Sequence, residues 1–270
     1  TTLISATPDT EILVSELGAS GPGEISHLAR LVRPHVAVVT EIAPAHLEGF
    51  VDLDGVVRAK AEIFEGLEPG GVAVIRDGVH GFDRLRAAAG DRVRTFGWGT
   101  GDWKVTDCRR SGDGHSFAID GPGGDRREFR LPAPGRHNVL NALAAIVVAR
   151  ELGMSWESIG DALARCRLPP LRLQTYRAGG IEILDDSYNA NPASMRAALE
   201  EWLAPAAEDP RQPRGFVAVL GEMLELGVAS RRLHEELGER LAGSPLRLLI
   251  TVGPGARWIG ESFRSGGGRG

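Results

Sequence analysis

Lysine is almost absent from this chain: of its 31 basic residues only Lys60 and Lys104 are lysines, and arginine supplies the rest. Cysteine is as scarce, because Cys108 and Cys166 are the only two and stand in no CxxC or Cys/His spacing. Their spacing excludes a disulfide framework and a cysteine-ligated zinc site. No apolar run reaches the roughly 18 residues of a membrane span, and the first residues lack the order of a signal peptide. We therefore expect a cytoplasmic protein without membrane insertion.

A block of basic charge is missing too. The 31 basic and 36 acidic residues give a net charge of −5, and no basic run of the kind that follows a phosphate backbone occurs. Nucleic acid is therefore not an expected partner. The GxxxxGK[ST] loop that binds nucleotide phosphates is also absent, since the chain contains no Gly-Lys pair. Hydrophobic residues make up 42% of the 270 positions, which is enough to form the cores of two compact units.

Apolar strands alternate with helical stretches in the first part of the chain. The pattern predicts Val- and Ile-rich strands at 11–15 and 36–40, with an amphipathic helix between them that ends before Pro34. A helix over 52–69 and a strand over 71–77 follow. This order of strand, helix and strand is typical of an α/β protein with a parallel sheet.

The pattern changes twice further along the chain. From about Asp91 to Leu131, period-two alternation with Gly and Asp turns predicts a small antiparallel patch. Two prolines within 167–174 stop any helix there, and the alternation of strands and helices then restarts. We predict two domains, 1–168 with a parallel sheet and 169–270 with a Rossmann-like α/β fold in which residues 181–184 form the first strand.

Polar side chains gather where the predicted strands end. The carboxyl ends of parallel strands are where open α/β sheets bind ligands. Glu16 and His46 follow two such strands, and carboxylate and imidazole are reasonable ligands for Mg²⁺ or Mn²⁺. The alternative is that Glu16 caps a helix and His46 is an ordinary loop histidine. Another group follows strand 181–184: Asp185, Asp186, Tyr188, Asn189 and Asn191.

Lys60 stands out because the chain otherwise uses arginine. A neutral primary amine reacts with CO₂ to give a carbamate, which is an anion that binds metal, whereas guanidinium essentially never loses its proton. The residue is then a candidate for such a modification. The alternative is an exposed helix lysine with no special role.

Two asparagines open the helix after Gly135. Asn138 and Asn141 are three residues apart and share a helix face, where two carboxamides match the donor and acceptor edge of a purine. The alternative for Asn138 is an N-cap. That alternative leaves Asn141 inside a helix, where asparagine is unfavourable without a partner.

The order and spacing of several motifs resemble the Mur ligase family. The resemblance covers essentially the whole chain and implies an ATP-dependent, amide-forming ligase. Its best match within the family joins D-Ala-D-Ala to UDP-MurNAc-tripeptide by way of an acyl phosphate. The motifs are "SELGASGPGEI", "AHLEGF", "AKAEIF", "PGRHNVLNALAA", "DDSYNANPAS" and "GEMLELG".

The resemblance also implies roles for individual residues. It implies both catalytic and metal-binding roles for Glu16, His46 and Lys60. Glu16, His46 and a carbamate on Lys60 would bind Mg²⁺, with Mn²⁺ as a possible substitute. ATP-binding roles fall on Asn138, Asn141, Arg172 and Asp186, and substrate-binding roles on Tyr188, Asn189, Asn191, Glu222 and Glu225. The family members act on small molecules, and we expect a monomer.

The chain departs from the family pattern in three places. The phosphate loop and the UDP-binding domain that precede this region in the family are missing, and the last strands of the C-terminal domain are missing too. We therefore expect an internal fragment, inactive alone, of a ligase of roughly 450 residues. The third departure is Glu41, where the family usually has Asn. Our hypothesis is that Glu41 faces the metal site, and the alternative is that it pairs with a nearby arginine.

Two other functions remain open on the sequence. One is another Mur-type ligase that attaches a different amino acid, although "DDSYNANP" argues against it. The other is a non-catalytic nucleotide-binding module without a phosphate loop. The joint presence of Glu16, His46 and Lys60 favours an enzyme over a decayed module.

Overall fold

The computed structural model describes residues 3–44, 47–208 and 215–268. In the first part of the chain it shows a six-stranded sheet with strands in the order of the sequence. The strands are β1 (Val36–Val39), β2 (Val72–Arg76), β3 (Val93–Trp98), β4 (Trp103–Ser111), β5 (Gly114–Asp120) and β6 (Arg126–Leu131).

Parallel and antiparallel pairing meet within this one sheet. Strands β1 to β4 pair in parallel, and β4 to β6 pair antiparallel. The predicted parallel sheet is confirmed. The predicted antiparallel patch is also present, but it is a continuation of the parallel sheet, and it begins at β4 because β3 still pairs in parallel on both sides.

Helices cover both faces of the sheet. Alternate residues of β2 point to opposite cores: Val72 and Val74 pack in the cluster that includes α5 and α6, and Ala73 and Ile75 pack in the cluster that includes α3 and α4. A strand buried on both faces is typical of a parallel sheet. The helices are α1 (Glu24–Val32), α2 (Leu47–Phe50), α3 (Leu53–Ala61), α4 (Phe82–Ala88), α5 (Arg136–Glu151) and α6 (Trp156–Ala164).

The prediction of a strand at 11–15 is wrong. Residues 11–15 have no regular structure and join no ladder in the described part of the sheet, and Val14 is 82% exposed. A run rich in Val and Ile forms a strand only where a neighbouring strand takes up its backbone N–H and C=O groups. Strand β1 is an edge of the described sheet and does not pair with 11–15.

The second part of the chain begins with a hairpin. Strands β7 (Gln174–Ala178) and β8 (Ile181–Asp185) pair antiparallel around Gly179 and Gly180, both of which have positive φ. A two-residue loop with positive φ at both positions is the turn that matches strand twist in a hairpin. Residues 181–184 are a strand as predicted, but they do not join a parallel sheet.

A parallel pair follows the hairpin. Strands β9 (Phe216–Gly221) and β10 (Leu246–Val252) pair in parallel, which confirms the predicted α/β character of this part. The helices around them are α7 (Pro192–Glu208), α8 (Ser230–Ala242) and α9 (Arg257–Ser265). None of the helices described has the length and apolar character that crossing a bilayer requires. The domain boundary at 168/169 stays a prediction.

Candidate active site

Lys60 and Glu16 lie within electrostatic reach of each other. Lys60 is half-buried on α3, and burial lowers the pKa of its ammonium group, while the negative charge of Glu16 opposes that shift. A lowered pKa makes a neutral amine more accessible, and the neutral amine is the form that reacts with CO₂. The alternative of a fully exposed lysine does not hold.

Glu16 is not used to cap the neighbouring helix. The carboxylate of Glu62 takes that place, since it accepts hydrogen bonds from the amides of Gly23 at 2.8 Å and Ser26 at 3.1 Å at the start of α1. Anionic groups are favourable at a helix N-terminus because the free amides and the helix dipole point there. Among the described residues, the alternative that Glu16 caps a helix therefore does not hold.

Two of the three predicted metal ligands, Glu16 and Lys60, lie within the described residues. No group of three or more His, Cys, Asp or Glu side chains in the described ranges is placed to hold a metal. His46, the predicted second ligand, lies outside the described residues. Mg²⁺ commonly binds one or two carboxylates together with water and substrate phosphates, so Glu16 with a carbamate on Lys60 fits such a site. The hydroxyl of Ser15, buried and unpartnered within the described ranges, is a further polar atom next to Glu16 in sequence.

Glu41 shows the pairing with a nearby arginine that was the alternative to facing the metal site. Its carboxylate forms an ion pair with Arg76, and it also accepts a hydrogen bond from the amide of Ile42 at 3.0 Å. Glu41 follows β1 and Arg76 ends β2, and the carboxyl ends of parallel neighbours lie side by side. The arginine that pairs with Glu41 therefore comes from the adjacent strand, β2.

The two asparagines of α5 form a linked pair. The Asn141 amide donates to the Asn138 carbonyl at 3.2 Å, and the Asn138 amide donates to the backbone carbonyl of Pro134 at 2.8 Å. Asn138 is not the N-cap, because that position belongs to Gly135. Asn141 is exposed and Asn138 is partly buried, and the two side chains share one helix face as predicted.

Arg172 lies between two residues with left-handed backbone. Leu171 has φ 62° and Leu173 has φ 46°, values that leucine rarely adopts. Residues in such conformations cluster at ligand sites and persist only where their surroundings hold them. Here the amide of Leu173 donates to the Asp186 carboxylate at 3.1 Å, and the amide of Tyr188 donates to the Leu171 carbonyl at 3.1 Å.

Asp186 and Arg172 belong to one cluster. Burial raises the pKa of Asp186, while the Leu173 amide and the Arg172 charge oppose that shift and Asp185 reinforces it. The Arg172 guanidinium lies over the Tyr188 ring, 4.2 Å from its centroid. Arginine placed over an aromatic ring keeps its donors free at the edge of the plane. The structure therefore brings together three of the predicted residues.

A glycine joins this cluster to the asparagine pair. Gly135, which opens α5, has φ 86° and is so close to Leu173 that a Cβ atom there would lie 2.7 Å from Leu173 Cδ1. The loop formed by residues 171–173, called the Arg172 loop, is therefore packed directly against the start of α5. The start of α5, which carries the asparagine pair, and the Arg172–Asp186 cluster are therefore in contact through Gly135 and Leu173, although no single sequence motif contains them all.

The residues after Asp186 have mainly local contacts. Asn191 caps α7, because its side-chain oxygen accepts from the amides of Ala193 at 3.0 Å and Ser194 at 2.9 Å. Asn189 accepts from the amide of Ala190 at 2.8 Å. Tyr188 and Asn189 are exposed, whereas Asn191 is tied into the helix start. Capping alone accounts for the contacts of Asn191.

The loop after β9 is held by a buried histidine. Nε2 of His234 accepts from the Met223 amide at 3.0 Å, so Nδ1 carries the proton and donates to the Ser230 carbonyl at 2.7 Å. Glu222 accepts from the amide of Gly255 at 2.8 Å. The carbonyl of Glu225 accepts from the amide of Glu48 at 3.3 Å, which places this loop against α2.

Sequence patterns did not indicate three of these features. The Gly135–Leu173 contact, the His234 hydrogen bonds and the Glu48–Glu225 contact all join residues distant in sequence. A signal was present for His234 alone, since a histidine within an apolar helix face requires buried partners. The other two depend on how separate elements meet.

The fold and these clusters define an α/β protein with polar groups gathered at strand ends and at the start of α5. A family model described as the Mur ligase middle domain matches residues 1–149, and one described as Mur ligase, glutamate ligase domain matches residues 171–269. The chain belongs to the Mur ligase family.

Individual relatives agree with this assignment. The chain is 37% identical to the UDP-N-acetylmuramoyl-tripeptide--D-alanyl-D-alanine ligase of Escherichia coli (strain K12), over 97% of this chain and 58% of that protein. It is 33% identical to the ligase of the same name from Bacillus subtilis (strain 168), over 96% of this chain and 55% of that protein. The chain therefore spans little more than half the length of these relatives.

Solved structures show the same likeness. A crystal structure of MurF from Acinetobacter baumannii matches with a TM-score of 0.86 and 35% identity, covering 96% of this chain and 56% of that one. MurF ligase from Thermotoga maritima in complex with ADP matches with a TM-score of 0.79 and 31% identity, covering 92% of this chain and 56% of that one.

Proposed function

We propose that this chain is the central and C-terminal part of an ATP-dependent ligase that joins D-alanyl-D-alanine to UDP-MurNAc-tripeptide in the cytoplasm. One observation carries the proposal: the Asn138–Asn141 pair and the Arg172–Asp186 cluster, which lie in separately matched family domains, meet through Gly135 and Leu173. The names of the relatives support the choice of substrates.

The chain's own residues would hold the nucleotide from two sides. Asn138 and Asn141 match the hydrogen-bonding edge of adenine, and Arg172 offers guanidinium donors to phosphate oxygens. Asp186 fixes the loop that carries Arg172 through the Leu173 amide. We assign Tyr188, Asn189, Glu222 and Glu225 to the substrate side, and Asn191 acts there only by starting α7.

The reaction forms an amide in two steps. The terminal carboxylate of the tripeptide attacks the γ-phosphorus of ATP, which gives an acyl phosphate and ADP. The amine of D-Ala-D-Ala then attacks the acyl carbon and the amide bond forms. Phosphate leaves with the electron pair of the broken C–O bond, and the proton that the amine loses passes to the departing phosphate or to solvent. Contact between the loop after β9 and α2 would exclude water from the acyl phosphate.

Glu16, His46 and Lys60 as a carbamate would hold Mg²⁺, or Mn²⁺ in its place. A bound divalent cation offsets the charge that accumulates between the γ-phosphate and the attacking carboxylate. The half-buried position of Lys60 favours the neutral amine that CO₂ modifies, and the modification changes a cation into an anion. Glu16 would then have a second oxygen ligand beside it. Arg76 neutralises Glu41, so Glu41 needs no role in metal binding.

The proposal is tested in a protein that extends this chain upstream to include a phosphate loop. We expect phosphate release only when ATP, UDP-MurNAc-tripeptide and D-Ala-D-Ala are all present, together with the mass of the ligated product. Lys60→Arg should abolish turnover, and added bicarbonate should not restore it. The 270-residue chain alone should release no phosphate, because no residue replaces the phosphate loop.

The same assay separates the alternatives. Turnover with a single amino acid in place of D-Ala-D-Ala would identify another Mur-type ligase. Nucleotide binding without turnover in the extended protein would identify a non-catalytic module. Full activity of Lys60→Arg would end the carbamate hypothesis. We also propose a monomer divided at 168/169, which sedimentation and limited proteolysis would test.

A further inference from the structure

An ion pair crosses between the two matched family regions. Arg110 near the end of β4 lies 3.1 Å from the Glu201 carboxylate on α7, measured from Nη1 to Oε1. The Glu201 side chain is only 9% exposed and that of Arg110 is 39% exposed. A carboxylate so far removed from water requires a charged partner, because burial without one is costly.

The backbone of α7 makes a second bond to the same arginine. Arg110 Nη1 also donates to the carbonyl oxygen of Glu201 at 3.4 Å. In an α-helix this carbonyl would accept from the amide four residues later, and that residue is Pro205, which has no amide hydrogen. The arginine therefore serves both the side chain of Glu201 and the backbone acceptor that proline leaves open.

The pair lies beside the start of α5. Burial raises the pKa of the Cys108 thiol on β4, Arg136 opposes that shift, and Asp107 and Glu201 reinforce it. Glu201 and Arg136, the first residue of α5, thus both lie near Cys108. Helix α5 also packs against α7. The ion pair is consequently close to the helix that presents Asn138 and Asn141.

Helix α7 begins directly after the Asp186 cluster, because Asn191 caps it. A rotation of α7 would therefore move Asp186 relative to α5. We propose that Arg110 and Glu201 are positioning residues that set the orientation of α7 against α5, and with it the spacing of the two halves of the nucleotide site. The role of the ion pair in orienting α7 is independent of the proposed function. Its effect on nucleotide binding rests on that function.

A distance measurement on the 270-residue chain tests the orientation without any ligase activity. Nitroxide labels at the exposed positions Glu157→Cys on α6 and Glu239→Cys on α8 report the spacing, in a background with Cys108→Ala and Cys166→Ala. We expect a narrow distance distribution in this parent. Glu201→Gln and Arg110→Ala should each broaden or shift it. The reversed pair Arg110→Glu with Glu201→Arg restores the ion pair but not the bond to the carbonyl of residue 201, so it should narrow the distribution part of the way back to the parent.

Asp120→Asn is the matched control. Asp120 pairs with Arg126 at 3.2 Å on the same sheet, but that pair lies within one family region and is more exposed. The control should leave the distribution unchanged. The proposal would be overturned if Glu201→Gln and Arg110→Ala gave the same distance distribution as the parent while circular dichroism showed that both variants are folded. A reversed pair as broad as the single variants would also overturn it. If a single variant does not fold, the reversed pair is compared with the parent and with the remaining single variant. A distribution narrower than that of the remaining single variant supports the proposal, and one as broad overturns it.

The consequence for function is measured separately. In the extended ligase, Glu201→Gln should raise the KM for ATP about tenfold, equivalent to about 1.4 kcal/mol, with a smaller change in kcat. The reversed pair should recover part of the increase in KM. A KM unchanged in an active ligase would overturn the link to the nucleotide site. An inactive parent ligase would instead refute the proposed function and leave the distance result standing.

Discussion

Gly135→Ala tests the junction between α5 and the Arg172 loop. The residue has φ 86° and ψ 117°, and holding alanine in a sparsely populated backbone region costs about 1–3 kcal/mol. The new Cβ atom would lie 2.6 Å from His137 Cε1 and 2.7 Å from Leu173 Cδ1, so both side chains must move. Such overpacking costs about 1–3 kcal/mol. We therefore expect Gly135→Ala to lower the free energy of unfolding by about 2–6 kcal/mol.

A loss of this size is a large part of the about 5–15 kcal/mol that stabilises a typical domain. Urea unfolding of the 270-residue chain measures it. Gly153→Ala is the control, because Gly153 has φ 80° but open space around its missing Cβ atom. The control should lose only the backbone contribution, about 1–2 kcal/mol. Equal losses in the two variants would refute the close packing of Gly135 against Leu173.

Three further predictions concern Lys60, Asp186 and Asn191. Because burial lowers the pKa of Lys60 in the folded state, Lys60→Met should raise the melting temperature at pH 7. This gain should shrink as the pH rises from the lowered pKa toward the ordinary value of 10.5. An equal gain at all pH values would contradict burial as the cause. The pKa of Asp186 is raised, so its contribution to stability is present below 3.8 and lost as the pH rises through the folded pKa. Asp186→Asn should lack this loss of stability. If the melting temperatures of the parent and of Asp186→Asn changed in parallel from acid to neutral pH, the prediction would be refuted. Asn191→Ala should cost about 1 kcal/mol in urea unfolding and Asn191→Asp much less, since aspartate also caps. Equal effects of the two substitutions would exclude capping.

The order of strands and helices was readable from the sequence because it depends on local patterns. Apolar residues at helical spacing indicated α1, and alternation with Gly and Asp turns indicated β4 to β6. The asparagine pair of α5 was also predictable, since residues three apart always share a helix face. Motif spacing placed Lys60 and Asp186 among the candidates before their surroundings were known.

The sequence by itself thus determined the local elements and the residue types at the candidate site, while tertiary structure decided how they meet. Residues 11–15 have a strand pattern but no partner strand in the described sheet, and 181–184 pair with β7 because a Gly-Gly turn brings the chain back. Glu41 turns to Arg76 because parallel pairing places the ends of β1 and β2 side by side. Local patterns record which face of an element is apolar, but they carry no information about which distant backbone edge or charge that element will meet.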